Sequence, residues 1–381
     1  MRKSSRMRIG LVTSEFPPEV GGVETYAYQY AAELGRRPEF DVTVYAPPSA
    51  ARAEPIPGVT IKPILTVCRD RDWSRLRAEP IDLWHALSAP HAWLSLTGRP
   101  TVVSVHGNDF LAPYALTARP GFELPLLYRF RPFLWQRLAP LWQRRTLALL
   151  NRALPAAKTI YANSQYTADV LIRQIPACAQ RVKVGAVGVE DRFLQISRSP
   201  RGSRPRLLTV CRLSEPRKNV ALVLHALANL QARYDFEYVV AGEGTQREAL
   251  SALANALGLA DRVCFRGSVS PAALTTLYSA ADLFVLTASV IPGSHEGFGI
   301  VYLEAAASGV PSLAARLAGA AEAVAEHVSG YFVDELSRAG VTNALEKFLA
   351  GAITFDAERC REFARGYQWP EIVDRISRAY G

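Results

Sequence analysis

Short apolar runs alternate with longer amphipathic stretches along most of the chain. Arg8 to Thr13, Asp41 to Tyr45, Val59 to Pro63, Ile81 to Ala86, Thr101 to His106, Thr159 to Ser164 and Val182 to Val189 have strand length and composition. Between them, Val23 to Leu34 and Gln165 to Gln174 carry helix patterns, the first stopped by Gly35 and the second begun by Ser164 as a cap. The alternation breaks at Ile196 to Pro205 (I-S-R-S-P-R-G-S-R-P), a polar run rich in Pro, Gly and Ser that reads as a linker. It then restarts with strand patterns at Arg206 to Val210, Tyr238 to Ala241, Val263 to Gly267, Ala281 to Thr287 and Pro311 to Ala315, and helix patterns at Val220 to Leu230 and Ile300 to Ala307. Strand and helix in repeated alternation predict an α/β chain with parallel sheets. The pattern predicts an N-terminal domain over 1–195, a linker over 196–205, a second domain over 206–365 and a terminal segment over 366–381.

Four loops between a strand and a helix hold candidate chemistry. After Ala281 to Thr287 comes His295-Glu296-Gly297-Phe298-Gly299, and Ile300 opens a helix that stops at Ser308-Gly309. Such a helix start offers unpaired N–H groups to an anion, and glycines there let a ligand approach the backbone. Glu304 follows Ile300 by just over one turn, about 6 Å along the axis, close enough for its carboxylate to accept from a ribose diol beside the anion. Glu296 precedes the helix and faces the other end of such a ligand. After Arg206 to Val210, Arg212 and Lys218 aim two cations at the start of the next helix. After Arg8 to Thr13, the turn-rich Ser14 to Gly22 puts Gly21 and Gly22 at a helix start. It lacks the G-x-G-x-x-G spacing of a dinucleotide oxidoreductase. After Thr101 to Val105 comes His106-Gly107-Asn108-Asp109, where ligands bind in open α/β sheets. A satisfied core histidine is the alternative for His106, and more so for His85.

The run E-G-F-G-I-V-x-L-E-A, with Glu296 and Glu304 eight apart, resembles the signature of retaining GT-B glycosyltransferases of family 4 (glycosyl transferases group 1). F-P-P-x-x-G-G-V-E at Phe16 to Glu24, H-G at His106, and R-L-x-x-x-x-K-N at Arg212 to Asn219 are similar to further motifs of that family, although Cys211 stands where its glycine is usual. The resemblance covers most of the chain. It implies a GT-B fold, two Rossmann-like βαβ domains facing across a cleft, with residues 366–381 packing back on the first domain. It implies donor binding by Gly21, Gly22, Arg212, Lys218, Phe298, Gly299, Ile300 and Glu304, with His106 and Glu296 at the donor sugar as catalytic residues. The family's S/T-x-x-G-G-x-x-E loop reads Arg316-Leu317-Ala318-Gly319-Ala320-Ala321-Glu322 here, a departure.

Composition narrows the rest. At 381 residues with 49% hydrophobic positions, two buried cores are expected. Five scattered cysteines fit reduced thiols in the cytoplasm, and the first residues lack a signal-peptide apolar core. No apolar run is long enough to span a bilayer. The first 200 residues hold 26 Lys and Arg against 16 Asp and Glu, so the net charge of +9 belongs to that half. Within it, 119–158 carries eight basic residues, one acid and six interleaved aromatics. Two readings stay open there: a surface on anionic headgroups at the inner face of the membrane, or a helix packed on its own sheet. Asp70-Arg71-Asp72 reads as a solvated loop, and no acidic cluster offers a metal site. The expected reaction is metal-independent, retaining hexosyl transfer from a GDP- or UDP-sugar to a glycan or lipid-linked acceptor in envelope polysaccharide or lipopolysaccharide synthesis. It needs no separate cofactor and no nucleic acid. Alternatives are a GT-B epimerase or phosphorylase, and a non-catalytic protein binding membrane or nucleic acid. Glu296 and Glu304 would stand about 12 Å apart on a continuous helix, too far for a glycosidase pair.

Overall fold

The computed structural model describes residues 6–19, 21–66, 68–111, 132–185, 187–200 and 202–381. The chain forms two compact units, Met1–Val187 with Trp369–Gly381, and Gly188–Gln368.

The first unit runs β1 (Met7–Val12), α1 (Gly22–Gly35), β2 (Phe40–Tyr45), β3 (Val59–Lys62), α2 (Arg69–Leu76), β4 (Leu83–Ala86), β5 (Thr101–Val105), α3 (Pro132–Ala156), β6 (Thr159–Ala162), α4 (Gln165–Gln174) and β7 (Val182–Val184). Its seven strands are parallel in the order β3-β2-β1-β4-β5-β6-β7. Strands β4 and β5 are buried along their whole length, as expected for a sheet covered on both faces. The second unit runs α5 (Asp191–Leu194), β8 (Arg206–Val210), α6 (Val220–Ala228), β9 (Glu237–Ala241), α7 (Arg247–Ala256), β10 (Val263–Gly267), α8 (Pro271–Ala280), β11 (Leu283–Leu286), α9 (Ile300–Ala307), β12 (Ser312–Ala315), α10 (Ala320–Ala323), β13 (Gly330–Val333), α11 (Arg338–Leu349) and α12 (Ala357–Arg365). Its six strands are parallel in the order β10-β9-β8-β11-β12-β13. The last helix, α13 (Trp369–Ser377), belongs to the first unit.

Each unit has its own core. In the first, Trp84, Val103, Val105, Ile160 and Leu154 pack together; in the second, Leu207, Tyr238, Val240, Leu283, Val285 and Leu313 do so. Three expectations need correction. The stretch 196–205, expected as a linker, lies within the second unit. Ser199 N donates to Ser279 O (3.0 Å), and Ser279 Oγ to Ser197 O (2.7 Å). The strand expected over Val182 to Val189 ends at Val184. Asp70-Arg71-Asp72 is the first turn of α2, and Asp72 is buried, accepting from Thr66 N (2.7 Å) and Thr66 Oγ1 (2.8 Å). Two acids at a helix start suit the positive end of the helix dipole, which explains why that charged run folds.

Part of the basic aromatic stretch, including Arg119, Arg129 and Arg131, lies outside the described residues, as does the side chain of Arg137. The later half of α3 buries Leu150, Ala153 and Leu154 in the core and leaves Arg144, Arg145 and Arg152 exposed. Among the described residues no helix is long and apolar enough to cross a membrane.

Candidate active site

In the second unit the strand order reverses between β8 and β11, and open α/β sheets bind ligands beyond the carboxyl ends of the strands at such a reversal. Two loops leave the sheet there. The loop after β8 runs from Cys211 through a single 3-10 turn, Pro216–Lys218, to Asn219, whose φ of 57° starts α6. Asn219 Nδ2 donates to Thr287 O (2.6 Å), and Ser289 N to Arg217 O (2.8 Å), which ties this loop to the one after β11. A third loop braces it from β9. At Gly242, with φ of 138°, a Cβ would stand 1.9 Å from Cys211 O, so only glycine fits.

The loops bring Glu296 and Lys218 together. Lys218 Nζ donates to Glu296 Oε2 at 2.6 Å, and Arg217 Nη1 reaches the same oxygen at 3.1 Å. Arg217 is itself buried, pairs with Glu215 (2.5 Å) and donates from Nε to Ser294 Oγ (3.0 Å). Burial alone would raise the Glu296 carboxyl, but the two cations outweigh it and hold it down at about 2. Glu296 is therefore ionised throughout the physiological range. His295 beside it is driven down to about 4, chiefly by burial, and stays neutral.

Glu304 has the opposite environment. It lies on α9, nearly buried, and accepts from the Tyr278 hydroxyl at 2.9 Å on Oε2. Burial is the main cause that raises its carboxyl, the Tyr278 hydrogen bond opposes the rise, Glu190 adds to it and Arg192 offsets part of it, leaving it at about 7. The start of α9 is Gly299 at φ 87°, and no side chain caps it. A Cβ at Gly299 would sit 2.6 Å from the Tyr302 ring, so the fold itself demands glycine here. The first N–H groups of this helix therefore have no side-chain cap. Phe298 is buried and Ile300 is the first helical residue. The variant loop 316–322 still reaches this site: Gly319 N donates to Glu296 O (3.0 Å). Arg212 is exposed, at the rim of the same loop as Lys218.

In the first unit the order reverses between β1 and β4. Gly21 and Gly22 begin α1 beyond β1. A Cβ at Gly22 would meet nothing within 4 Å, so packing does not demand that glycine. Four residues on, Tyr26 lies edge-on to the His106 ring at 4.5 Å. His106 Nε2 donates to Leu87 O (2.8 Å), which leaves Nδ1 without a proton. Asp109 accepts from His106 N (2.9 Å) and Ala89 N (2.8 Å). Burial holds His106 below its usual range and Asp109 above it. His85 is a core histidine: Tyr380 Oη lies 2.7 Å from Nδ1 and Ser104 Oγ 2.9 Å from Nε2, and burial drives it down to about 3.

Arg217 and Tyr278 were not among the residues singled out from the sequence. The R-x5-K spacing drew attention to the ends of its own loop, and nothing in Glu215-Pro216-Arg217 marks the middle cation as buried. Tyr278 sits in an ordinary amphipathic helix pattern. Among the described residues no cluster of His, Cys, Asp and Glu is placed to hold a metal ion.

Residues 192–367 match the glycosyl transferases group 1 model, and residues 20–192 match the glycosyltransferase family 4 model. The GDP-mannose-dependent alpha-(1-6)-phosphatidylinositol monomannoside mannosyltransferase of Mycobacterium tuberculosis is 30% identical over 97% of this chain and 97% of its own length. A D-inositol 3-phosphate glycosyltransferase of Acidothermus cellulolyticus is 27% identical over 95% of this chain and 86% of its own. Among solved structures, the sucrose-phosphate synthase of Thermosynechococcus elongatus superposes with a TM-score of 0.75 at 18% identity, covering 98% of both chains. HepE of Anabaena, in complex with UDP and glucose, superposes with a TM-score of 0.71 at 21% identity, covering 98% of this chain and 99% of its own. The epimerase, phosphorylase and non-catalytic binding alternatives are not favoured by these relatives. With two Rossmann-like units of seven and six parallel strands and a relative matched along nearly its whole length, the chain belongs to the family 4, group 1 glycosyltransferases of GT-B fold, which use nucleotide sugars.

Proposed function

We propose that the chain transfers a hexose, with retention, from a GDP-sugar to a glycan or lipid-linked acceptor of the cell envelope. The observation that carries this reading is the mostly buried Lys218–Glu296 pair at the strand-order reversal, one loop before an uncapped helix start. In this reading Arg212 and Lys218 take the diphosphate with the N–H groups of Gly299 and Ile300, while Phe298 shapes the loop. Glu304 takes the ribose, and Glu296 takes the sugar hydroxyls. Lys218 leaves Glu296 as the diphosphate arrives, and Arg217 keeps that carboxylate ionised. In the first unit, Gly21 and Gly22 offer an open helix start to a phosphate, and His106 offers its bare Nδ1 to a sugar hydroxyl. Cations and helix dipoles stabilise the leaving diphosphate, so no metal or cofactor is needed. GDP is preferred over UDP because relatives along the whole chain are named as GDP-mannose-dependent.

The test is donor hydrolysis and transfer across GDP-mannose, GDP-glucose, UDP-glucose and ADP-glucose, with and without excess EDTA. Turnover of a GDP-sugar that persists in EDTA is the expected result. A strict Mg²⁺ or Mn²⁺ requirement overturns the metal-free part. To reach that acceptor, we propose that this chain lies in the cytoplasm and rests on the anionic inner leaflet through 119–158. Co-sedimentation with phosphatidylglycerol vesicles at low salt, lost in the triple variant Arg129→Ser, Arg131→Ser, Arg137→Ser, is the expected outcome.

A further inference from the structure

The hydroxyl of Tyr278 is the one polar atom at the end of a ring packed edge-on against Phe193 (5.5 Å) and tilted against Phe284 (6.1 Å). It donates to Glu304 Oε2 at 2.9 Å, with Val301 O a longer acceptor at 3.3 Å. Among the described residues Glu304 Oε1 takes no hydrogen bond, and no cation lies within ion-pair distance of the carboxylate. Glu304 thus differs from Glu296, which two cations hold. A ribose diol needs a carboxylate whose plane is fixed and whose oxygens are free to accept. We propose that Tyr278 is a positioning residue for ribose recognition: its hydroxyl fixes Oε2 and turns the rest of the Glu304 carboxylate toward the two ribose hydroxyls. This rests on the reading of Glu304 as the ribose acceptor.

Burial of Glu304 ties nucleotide affinity to pH, and the Tyr278 bond sets how far. Facing Glu304 are Tyr278 from α8 and, from the 190–194 turn, Glu190 and Arg192, which pair with each other at 2.7 Å. Of the other helices packed on α9, α10 carries Glu322. Helix α12 carries Glu358, Arg359, Arg361, Glu362 and Arg365, with Arg361 at the far end beside Gly309. Burial raises Glu304, Tyr278 and Arg192 offset part of that rise, and the carboxyl stands at about 7. A carboxylate that must ionise to accept the diol then gains its ligand as pH rises. Between pH 6 and pH 8 its ionised fraction grows about tenfold for a midpoint near 7.

The experiment is calorimetric titration of the full chain with GDP and with 2′-deoxy-GDP at pH 6, 7 and 8.5. The deoxy nucleotide carries the same diphosphate titration and lacks the diol. Wild type is expected to bind GDP about tenfold more tightly at pH 8.5 than at pH 6, beyond any change seen with 2′-deoxy-GDP. Tyr278→Phe should weaken GDP several-fold at pH 7, recover much of that at pH 8.5, and leave 2′-deoxy-GDP unchanged. Arg192→Gln, at a half-exposed position, should shift the GDP profile the same way and serves if Tyr278→Phe does not fold. Equal loss for both nucleotides at every pH, or no loss in either variant, overturns the positioning role. Glu304→Gln separates the two levels of the argument. If it spares 2′-deoxy-GDP while Tyr278→Phe does nothing, the ribose reading stands and the Tyr278 proposal fails. If it weakens both nucleotides alike, the ribose reading itself fails.

Discussion

Two glutamates eight residues apart occupy opposite electrostatic environments. Glu296 sits between Lys218 and Arg217 and is held down at about 2; Glu304 has a tyrosine hydroxyl but no ion-pair partner among the described residues, and burial brings it up to about 7. For Glu296, depressed from 4.5, the ion pairs stabilise the fold above about pH 4.5 and are lost as pH falls toward 2. For Glu304 the sign reverses. A carboxyl raised from 4.5 favours the fold while protonated, and ionisation through pH 7 costs on the order of 3 kcal/mol of stability. Glu304→Gln keeps an acceptor for Tyr278 and removes the charge. It is therefore expected to melt at the same temperature as wild type at pH 5 and several degrees higher at pH 8, while losing ribonucleotide affinity. A variant that melts lower at pH 8 contradicts this environment. Lys218→Ala should weaken GDP by about 1.5–3 kcal/mol, the worth of a charged hydrogen bond, and leave guanosine unchanged in calorimetry. Equal loss for both ligands would sink the diphosphate assignment. The sequence marked Glu296, Glu304 and Lys218 through spacing. It was silent on Arg217 because burial of that cation depends on Ser294 and Ser289, which are near it only after folding.

At the scale of elements, the strand and helix patterns were legible because a strand buried on both faces must be continuously apolar. Strands β4, β5, β6, β11 and β12 are all of this kind. Charged elements were harder to read. Asp70 to Asp72 has no apolar period, yet it becomes the first turn of α2, because Asp72 finds the Thr66 amide and hydroxyl six residues back. The glycines of the loops looked alike in sequence and differ in cause. Gly242 and Gly299 are fixed by positive φ and by neighbours within 3 Å of any Cβ, whereas Gly22 has open space. Gly242→Ala is accordingly expected to destabilise the protein by 2 kcal/mol or more in urea unfolding, roughly the cost of a core or backbone defect. Gly22→Ala should change stability by less than about 0.5 kcal/mol, as at a surface position, and should still lower turnover. If the alanine at 22 unfolds the protein, or leaves turnover intact, the idea that the donor approaches that helix start is wrong.

At the scale of the whole chain, two α/β units could be read from the restart of the strand pattern, but the point of division could not. A polar Pro- and Ser-rich run looks like a free linker until Ser199 and Ser197 are seen bonded to Ser279. The division has a consequence. The second unit, Gly188–Gln368, is one contiguous segment with its own core and all of Arg212, Arg217, Lys218, Tyr278, Glu296 and Glu304. At about 180 residues it is large enough to bury roughly 70% of its unfolded surface. The first unit is not contiguous. Tyr380 lies 2.6 Å from Tyr30 Oη and 2.7 Å from His85 Nδ1, Trp369 packs edge-on against Tyr26, and Ile372, Val373 and Ile376 are buried. Removing 369–381 would strip His85, a histidine kept neutral by burial, of one partner and open that core to water. The fragment 188–368 is therefore expected to unfold cooperatively and to bind GDP within about tenfold of the full chain. The fragment 1–187 should be cut rapidly by protease, and adding 369–381 as a separate peptide should slow the cutting. A stable 1–187, or a 188–368 that folds without binding GDP, would contradict the argument, the first by showing α13 dispensable and the second by showing that the donor groups of the second unit do not suffice.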